Sequence, residues 1–195
     1  MEFEKMQNFI LDKLQRELPE ELTYHNVGHV KDVYSAVLRH IAAKDLTEED
    51  TLLLKTAALL HDSGFIKQAK GHEEISCAYA SEYLPQFDYT HAQIDVICGM
   101  IMATKIPQSP KTNLEEILAD ADLDYLGRDD FFKISGNLFE ELRETGIVKT
   151  EEEWDVIQVS FFEKHNYFTG NAKRWRDEKK AANLKLIKEK LSAND

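Results

Sequence analysis

Apolar residues recur every three or four positions through most of the chain, the spacing that places them on one face of an α-helix. Residues 3–17 and residues 26–43 each carry such a face. The run Leu52–Leu60 is apolar nearly all round, which is typical of a central, buried helix. Because no segment shows sustained alternation of apolar and polar residues, the pattern predicts an all-α fold.

The ends of the predicted helices are marked by residues that favour helix termini. Four threonines stand where an N-cap is needed, two of them followed three residues later by glutamate and one by glutamine: Thr47, Thr90, Thr112 and Thr150. The sequence predicts four further helices. One begins at His72 and is stopped by Pro85, and one runs from Thr112 through Tyr125 to Gly127. Another runs from Asp129 to near Gly146, and the last covers residues 171–191.

Length and composition indicate one domain. The chain has 195 residues, and no repeat, low-complexity stretch or long linker divides it. We therefore expect a single helical domain over residues 1–195, with helices at 150–192 packed on its core. The 36 acidic and 24 basic residues give a net charge of -12, which disfavours a nucleic acid as the main partner.

Hydropathy and cysteine content point to a cytoplasmic protein. No apolar run approaches the length of a membrane span, and the N-terminal residues lack the core of a signal peptide. The two cysteines, Cys77 and Cys98, stand among apolar residues and are too few for a disulfide framework. We expect both to be reduced residues of the core.

Histidine and aspartate residues cluster in three segments. His25 and His29 are four residues apart at the start of a helix, and His61-Asp62 ends the most apolar helix. A later apolar helix carries the acids Asp120, Asp122 and Asp124. Buried charges need a partner or a metal ion, and imidazole nitrogens with carboxylate oxygens suit a divalent cation. Ser63-Gly64 predicts that the helix unwinds where His61 and Asp62 would share that ion.

Each segment taken alone has an ordinary explanation. A His-Asp dipeptide occurs by chance, the His25/His29 pair is compatible with a helix cap and a surface histidine, and the acidic run is compatible with a solvated face. The order of the segments is more informative: a histidine pair, an apolar helix that ends in His-Asp, and then an acid on a later apolar helix.

Four stretches carry this order with their neighbours: Tyr24-His-Asn-Val-Gly-His29-Val30, Ala57-Ala-Leu-Leu-His61-Asp62-Ser-Gly, Gly71-His-Glu-Glu-Ile-Ser76 and Leu118-Ala-Asp-Ala-Asp122-Leu123-Asp-Tyr-Leu-Gly127. Over roughly residues 20–130 the chain resembles the HD-domain superfamily of metal-dependent phosphohydrolases. The resemblance implies a helical bundle around one metal site or a paired one.

The resemblance also implies a ligand set. It places His29, His61, Asp62 and one later aspartate on a divalent ion. Asp122 fits the position of that aspartate best, with Asp120 as the alternative. Either Asp122 or Asp124 would orient the attacking water, and we assign Asp124 to this catalytic role. Mixed nitrogen and oxygen ligands do not choose among Mn²⁺, Mg²⁺, Fe²⁺, Ni²⁺ and Zn²⁺.

Two further histidines are expected to face the substrate. His25 matches a histidine that looks like a general acid in related cyclic-nucleotide phosphodiesterases, and its ordinary pKa near neutrality suits that role. His72 lies where some two-metal relatives place a ligand. Met102-Ala103-Thr104 stands where such relatives carry further histidines, so a full second metal site is not expected. His72 is then a substrate contact.

The basic C-terminal third offers further phosphate contacts. We assign His165 and, from the central segment, Lys67 to substrate binding, although an amphipathic last helix with a solvated basic face explains the basic cluster more simply. Two branches of the superfamily act on guanosine tetraphosphate and on cyclic dinucleotides. The sequence lacks residues typical of both branches, and Phe65 is one of the positions that differ. We therefore infer neither of these two activities.

The expected function is hydrolysis of a small phosphate ester, such as a nucleotide or a related metabolite, with one divalent metal ion. A catalytically silent metal-binding sensor or interaction module is the alternative, and a di-iron oxygenase ranks last because it needs more histidines. The substrate and the oligomeric state stay open. Tyr83, Phe87 and Tyr89 either line a homodimer contact or pack under the loop at residues 85–91.

Overall fold

The computed structural model describes residues 1–194, and within them the chain is helical, with no β-strand, as the periodicity predicts. The α-helices are α1 (Phe3–Glu17), α2 (Val27–Ala42), α3 (Glu48–Leu60), α4 (His72–Tyr83), α5 (His91–Thr104), α6 (Asn113–Asp122), α7 (Phe131–Glu144), α8 (Glu151–Lys164) and α9 (Gly170–Asn194). Short 3₁₀ turns cover Ser63–Ile66, Leu84–Phe87 and Asp124–Gly127. No helix in this part of the chain is both long enough and apolar enough to cross a bilayer.

The chain divides into two compact units. The first comprises Met1–Asp122, with α1 to α6, and the second begins at Leu123 and contains α7 to α9. The prediction of one domain over residues 1–195, with the C-terminal helices packed on the core, stays a prediction.

Helix α3 supplies the centre of the first unit, as its all-apolar sequence predicts. Leu54, Ala57 and Leu60 have no exposed surface, and the core around them is built from α1, α2, α5 and α6. Burying one leucine side chain contributes roughly 1.5–3 kcal/mol to folding, so this helix is a main source of stability. Its last turn leads directly into His61 and Asp62.

The predicted N-caps are present. Hydroxyl oxygens of Thr47 and Thr150 accept hydrogen bonds from the backbone N–H groups three residues on, at 3.0 and 3.2 Å. Thr90 and Gln93 form a complete capping box at the start of α5. Thr112 accepts from the Glu115 N–H at 3.3 Å and caps α6.

One predicted helix end was confirmed and one was wrong. Helix α4 ends at Tyr83, just before Pro85, and the chain tightens into a 3₁₀ turn that contains this proline. Helix α6 ends at Asp122 rather than continuing to Gly127. The carbonyl of Leu123 accepts the Tyr167 hydroxyl hydrogen at 3.0 Å, a tertiary contact that local sequence does not reveal.

In the second unit, helix α9 packs against the 3₁₀ turn at Asp124–Gly127. The Asn183 amide on α9 donates to the carbonyl oxygens of Leu126 and Arg128 at 2.9 and 3.1 Å. A β-carbon added at Gly127 would lie 2.5 Å from the Arg176 carbonyl oxygen, so the turn needs glycine to approach α9 this closely. Helix α7 begins two residues later than predicted, at Phe131.

Four residues with open or incorrect predictions lie in the first unit. Phe87 and Tyr89 are buried, which favours packing under the loop over a dimer contact, and the Tyr89 hydroxyl lies 2.8 Å from Thr56 Oγ1. Cys77 and Cys98 are free thiols that are only half-buried against the core. Both cysteines are therefore more exposed than the predicted core position implied.

Candidate metal centre

Three helices of the first unit bring the predicted ligands together. His29 lies in the first turn of α2, which Asn26 caps by accepting the Gly28 N–H at 2.8 Å. His61 is the C-terminal cap of α3, and Asp62 precedes the 3₁₀ turn. Asp122 is the last residue of α6. All of them stand at helix ends, where side chains from separate helices can converge.

The ligand atoms face one another at short range. His29 Nε2 lies 3.2 Å from Asp62 Oδ2 and 3.2 Å from Asp122 Oδ1. His61 Nε2 lies 3.2 Å from Asp62 Oδ2 and 3.4 Å from Asp122 Oδ1. The two Nε2 atoms are 3.3 Å apart. Neighbouring donor atoms around an octahedral or tetrahedral ion are separated by about 2.8–3.8 Å when each lies about 2.0–2.3 Å from it, so these distances suit such an ion.

The donor set is withdrawn from solvent. The His61 side chain is fully buried, while 16% of the Asp122 side chain is exposed and gives the site its contact with solvent. Among residues 1–194, the ligand atoms of His29, His61 and Asp122 all lie within 4.8 Å of one another. Asp62 joins this group through its 3.2 Å contacts with both histidines.

The two histidines and the two carboxylates shift each other's pKa values. Burial alone would lower the pKa of His29, but the nearby carboxylates of Asp122 and Asp62 outweigh burial and raise that pKa to about 9. The same balance raises the pKa of His61 well above its usual value. Burial opposes ionisation of Asp122, yet the histidines lower its pKa to about 2, and they hold the pKa of Asp62 well below its ordinary value.

Two observations test whether these residues fit a metal ion. Asp62 Oδ2 is buried and has no hydrogen bond of acceptable geometry, although two histidine nitrogens lie 3.2 Å away. His61 Nδ1 lies 2.9 Å from the Ala58 carbonyl oxygen, which can only accept, so Nδ1 carries the proton. In neutral His61 the Nε2 lone pair then points towards the carboxylates, as metal ligation requires. The four residues fit a divalent ion.

A buried serine holds the His61-Asp62 turn. Ser76 Oγ on α4 donates to the His61 carbonyl oxygen at 2.8 Å and accepts the Gly64 N–H at 2.8 Å. Ser63 Oγ donates to the Leu60 carbonyl oxygen at 2.8 Å. These bonds satisfy backbone groups that the end of α3 leaves unpaired, and they fix the direction of both ligand side chains. Ser76 lies in one of the four stretches that carry the family resemblance, but the sequence predicted no role for it.

His72 lies on the other oxygen of Asp62. Its Nε2 is 3.3 Å from Asp62 Oδ1 and 3.6 Å from Glu73 Oε1, and its Nδ1 donates to the Ala69 carbonyl oxygen at 2.9 Å. Burial lowers the pKa of His72, but the hydrogen bond and charge of Asp62 outweigh this and raise it. Asp62 therefore connects His72 to the ligand group.

His25 belongs to an aromatic cluster beside the ligands. Its ring stacks on Phe65 with the centroids 4.0 Å apart and an interplanar angle of 14°, and it lies 6.0 Å from the His29 ring. The His72 ring lies 4.2 Å from the Phe65 ring. Phe65 thus sets the positions of two imidazoles. Sequence reasoning treated Phe65 only as a departure from a relative, and no local signal would have identified its contacts.

Other predicted site residues have different surroundings. Asp124 is buried, and its two carboxylate oxygens accept hydrogen bonds from Arg176 at 2.7 and 2.9 Å. Lys67 is exposed, and His165 makes ring contacts with Tyr167 and Phe161. The roles proposed for these three residues stay predictions. Asp120 is buried on α6, whereas the convergent carboxylate of that helix is Asp122.

Comparison with known proteins adds no further evidence. Neither the protein-family models, nor the curated proteins, nor the solved structures contain a significant match to this chain. The functional argument therefore rests on the geometry and chemistry of the centre.

Proposed function

We propose that the protein is an HD-type, metal-dependent phosphohydrolase that acts on a small phosphate ester. The observation that carries this proposal is the convergence of His29, His61, Asp62 and Asp122 from separate helices. The same four residues are the ligand set that the resemblance to the HD-domain superfamily implies. A buried set of two imidazoles and two carboxylates is costly to fold unless protons on the histidines or a bound cation balance the two negative charges.

The chemistry divides between the ion and the residues beside it. A bound divalent ion would supply a water molecule of lowered pKa and would polarise a phosphoryl oxygen. His29, His61, Asp62 and Asp122 would hold that ion. His61 keeps its proton on Nδ1 through the Ala58 carbonyl, and Asp62 is oriented by its histidine neighbours. These contacts would therefore orient the ligand side chains around the ion.

The two imidazoles on Phe65 would act on the substrate. His25 would donate a proton to the leaving oxygen, because a poor leaving group cannot depart as an alkoxide at neutral pH. His72, with its pKa raised by Asp62, would present a cationic donor to a phosphate oxygen. Both rings are half-buried, so a substrate could reach them from solvent.

One observation favours the alternative of a catalytically silent metal-binding sensor. Asp124 was expected to orient the attacking water, and Arg176 already engages both of its carboxylate oxygens. A guanidinium that engages both oxygens leaves fewer carboxylate lone pairs free to hold a water molecule. Catalysis then depends on an acceptor other than Asp124.

The test is hydrolysis by the purified full-length protein after removal of metal and reloading with Mn²⁺, Mg²⁺, Fe²⁺, Ni²⁺ or Zn²⁺. The panel comprises nucleoside mono-, di- and triphosphates, cyclic nucleotides, p-nitrophenyl phosphate and bis-p-nitrophenyl phosphate. We expect turnover of at least one ester that chelator abolishes and that Asp62→Ala lacks. Stoichiometric metal without turnover of any ester would support the sensor, and turnover that survives both chelator and Asp62→Ala would refute the proposed centre.

A further inference from the structure

Two cysteines on neighbouring helices of the first unit contact each other's backbone. Cys77 on α4 has its Sγ 3.6 Å from the Cys98 carbonyl oxygen, and Cys98 on α5 has its Sγ 3.7 Å from the Cys77 carbonyl oxygen. The contact is reciprocal, so both sulfurs occupy the same crossing of α4 and α5. The pair lies outside the ligand set and has no role in the proposed hydrolysis.

The pair is also reactive and accessible. Both side chains are half-buried free thiols, so a small oxidant can reach them. The neighbouring Cys77 thiol lowers the pKa of Cys98, whereas the Cys98 thiol and burial raise the pKa of Cys77. A cysteine with a stabilised thiolate beside a second thiol is the arrangement in which oxidation proceeds to a disulfide.

We propose that Cys77 and Cys98 form an oxidation site in which a peroxide converts the two thiols into an intramolecular disulfide between α4 and α5. The Cys98 thiolate attacks one oxygen of hydrogen peroxide, forming a sulfenic acid and releasing hydroxide. The Cys77 sulfur then attacks the Cys98 sulfur, forming the S–S bond and releasing the sulfenic oxygen as water. The peroxide is reduced to two molecules of water, and the two thiols lose two electrons.

The position of the bond gives it a structural consequence. The cysteines are 21 residues apart, so the disulfide would close a loop that contains the end of α4, the 3₁₀ turn at Leu84–Phe87 and most of α5. Closing such a loop restricts the unfolded chain and raises the melting temperature. Ser76, which holds the His61-Asp62 turn, is the residue next to Cys77. Oxidation would therefore fix α4 beside the candidate metal centre.

The experiment treats full-length protein with excess hydrogen peroxide and measures intact mass, free thiols after denaturation, and the melting temperature. We expect a monomer that has lost about 2 Da and both free thiols, with a melting temperature raised by about 5–10 °C. Dithiothreitol should restore the starting mass and melting temperature. None of these readouts depends on hydrolytic activity, so failure of the proposed function would not affect them.

Single substitutions provide matched controls. Cys77→Ser and Cys98→Ser should each gain oxygen instead of losing hydrogen, and neither should gain thermal stability on oxidation. Cys77→Ser keeps a hydroxyl donor beside Cys98, so its remaining thiol should react with a maleimide faster than the remaining thiol of Cys98→Ser. Persistence of both thiols under excess peroxide, or oxidation only to oxygen adducts or intermolecular dimers, would overturn the proposal.

Discussion

His29 Nε2 and His61 Nε2 face each other at 3.3 Å, although the two residues are 32 positions apart and lie on different helices. Two neutral imidazoles at this distance satisfy each other only if one donates, whereas both contribute lone pairs if a cation lies between them. The carboxylates of Asp62 and Asp122 lie beside the same two nitrogens. This relationship underlies the first two predictions.

Replacing Asp62 should remove metal binding while leaving the helices intact. Asp62→Ala deletes the oxygen that contacts both histidines, and we expect affinity for Mn²⁺ to fall by at least about 100-fold. Metal content after dialysis and the rise in melting temperature on adding Mn²⁺ measure this. Asp45→Ala, on an exposed acid, is the control and should behave as the parent protein. Unchanged metal binding in Asp62→Ala would remove Asp62 from the ligand set.

Metal-free and metal-loaded protein should respond to pH in opposite directions. The pKa of His29 is about 9 in the folded, metal-free protein and near 6.5 when unfolded, so its ion pairs stabilise fully below pH 6.5 and are lost as pH rises through 9. The pKa of Asp122 is lowered to about 2, so its contribution is present above about pH 4 and is lost as pH falls towards 2.

Metal binding displaces the histidine protons, so affinity should rise about tenfold per pH unit for each proton released. Melting temperatures in EDTA and in Mn²⁺, measured from pH 6 to 9.5, test this. We expect the EDTA values to decline above neutral pH while the gain from Mn²⁺ increases. A gain that does not change with pH would mean that no protonated histidine is a ligand.

His25 should affect protonation of the leaving group without affecting the metal ion. For an ester with an alkoxide leaving group, His25→Ala should lower kcat by roughly 10²–10⁴-fold, the usual effect of a positioned proton donor. For a p-nitrophenyl ester the loss should be much smaller, because nitrophenolate departs without a proton. His91→Ala, at the exposed start of α5, is the control. Loss of metal from His25→Ala would place this residue among the ligands.

Gly64 should tolerate no side chain. A β-carbon there would lie 2.0 Å from the His72 carbonyl oxygen, and backbone must move to relieve the clash. We expect Gly64→Ala to lower the free energy of unfolding by about 1–3 kcal/mol, as overpacking does, and to weaken Mn²⁺ binding. Gly136→Ala is the matched control in helix α7, where the new methyl meets no atom within 4 Å. That variant should be more stable by about 0.5–1 kcal/mol. Urea denaturation of both variants measures the contrast.

Ser76 should matter to the ligands more than to the fold. Ser76→Ala leaves the His61 carbonyl and the Gly64 N–H without their partner, which loosens the turn that carries Asp62. We expect Mn²⁺ affinity to fall by about 10–100-fold, the usual cost of losing a residue that orients ligands. Ser81→Ala, on an exposed position of the same helix, should leave Mn²⁺ affinity unchanged. Equal affinities in both variants, measured by calorimetry, would show that Ser76 does not position the turn.

Sequence periodicity was enough to predict the helices, because each buried stripe repeats at helical spacing. The unwinding after His61 was also predictable, since Ser63-Gly64 disfavours a further helical turn. The contacts of Asp124, by contrast, could not be predicted from the sequence. Its partner Arg176 lies 52 residues later on α9, and no local pattern links an acid to a distant guanidinium. The end of α6 was missed for the same reason, because Tyr167 binds the Leu123 carbonyl from 44 residues away.

The ligand set has a consequence for encounter rates. Two carboxylates and two neutral imidazoles carry a charge of two negatives, which a divalent ion cancels. The loaded ligand set would then carry no net charge with which to attract a phosphate from a distance, while the chain as a whole carries a charge of -12. An anionic substrate would approach against long-range repulsion, which dissolved salt screens. Association would thus become faster with rising ionic strength, the reverse of the steering found in enzymes that attract their substrates.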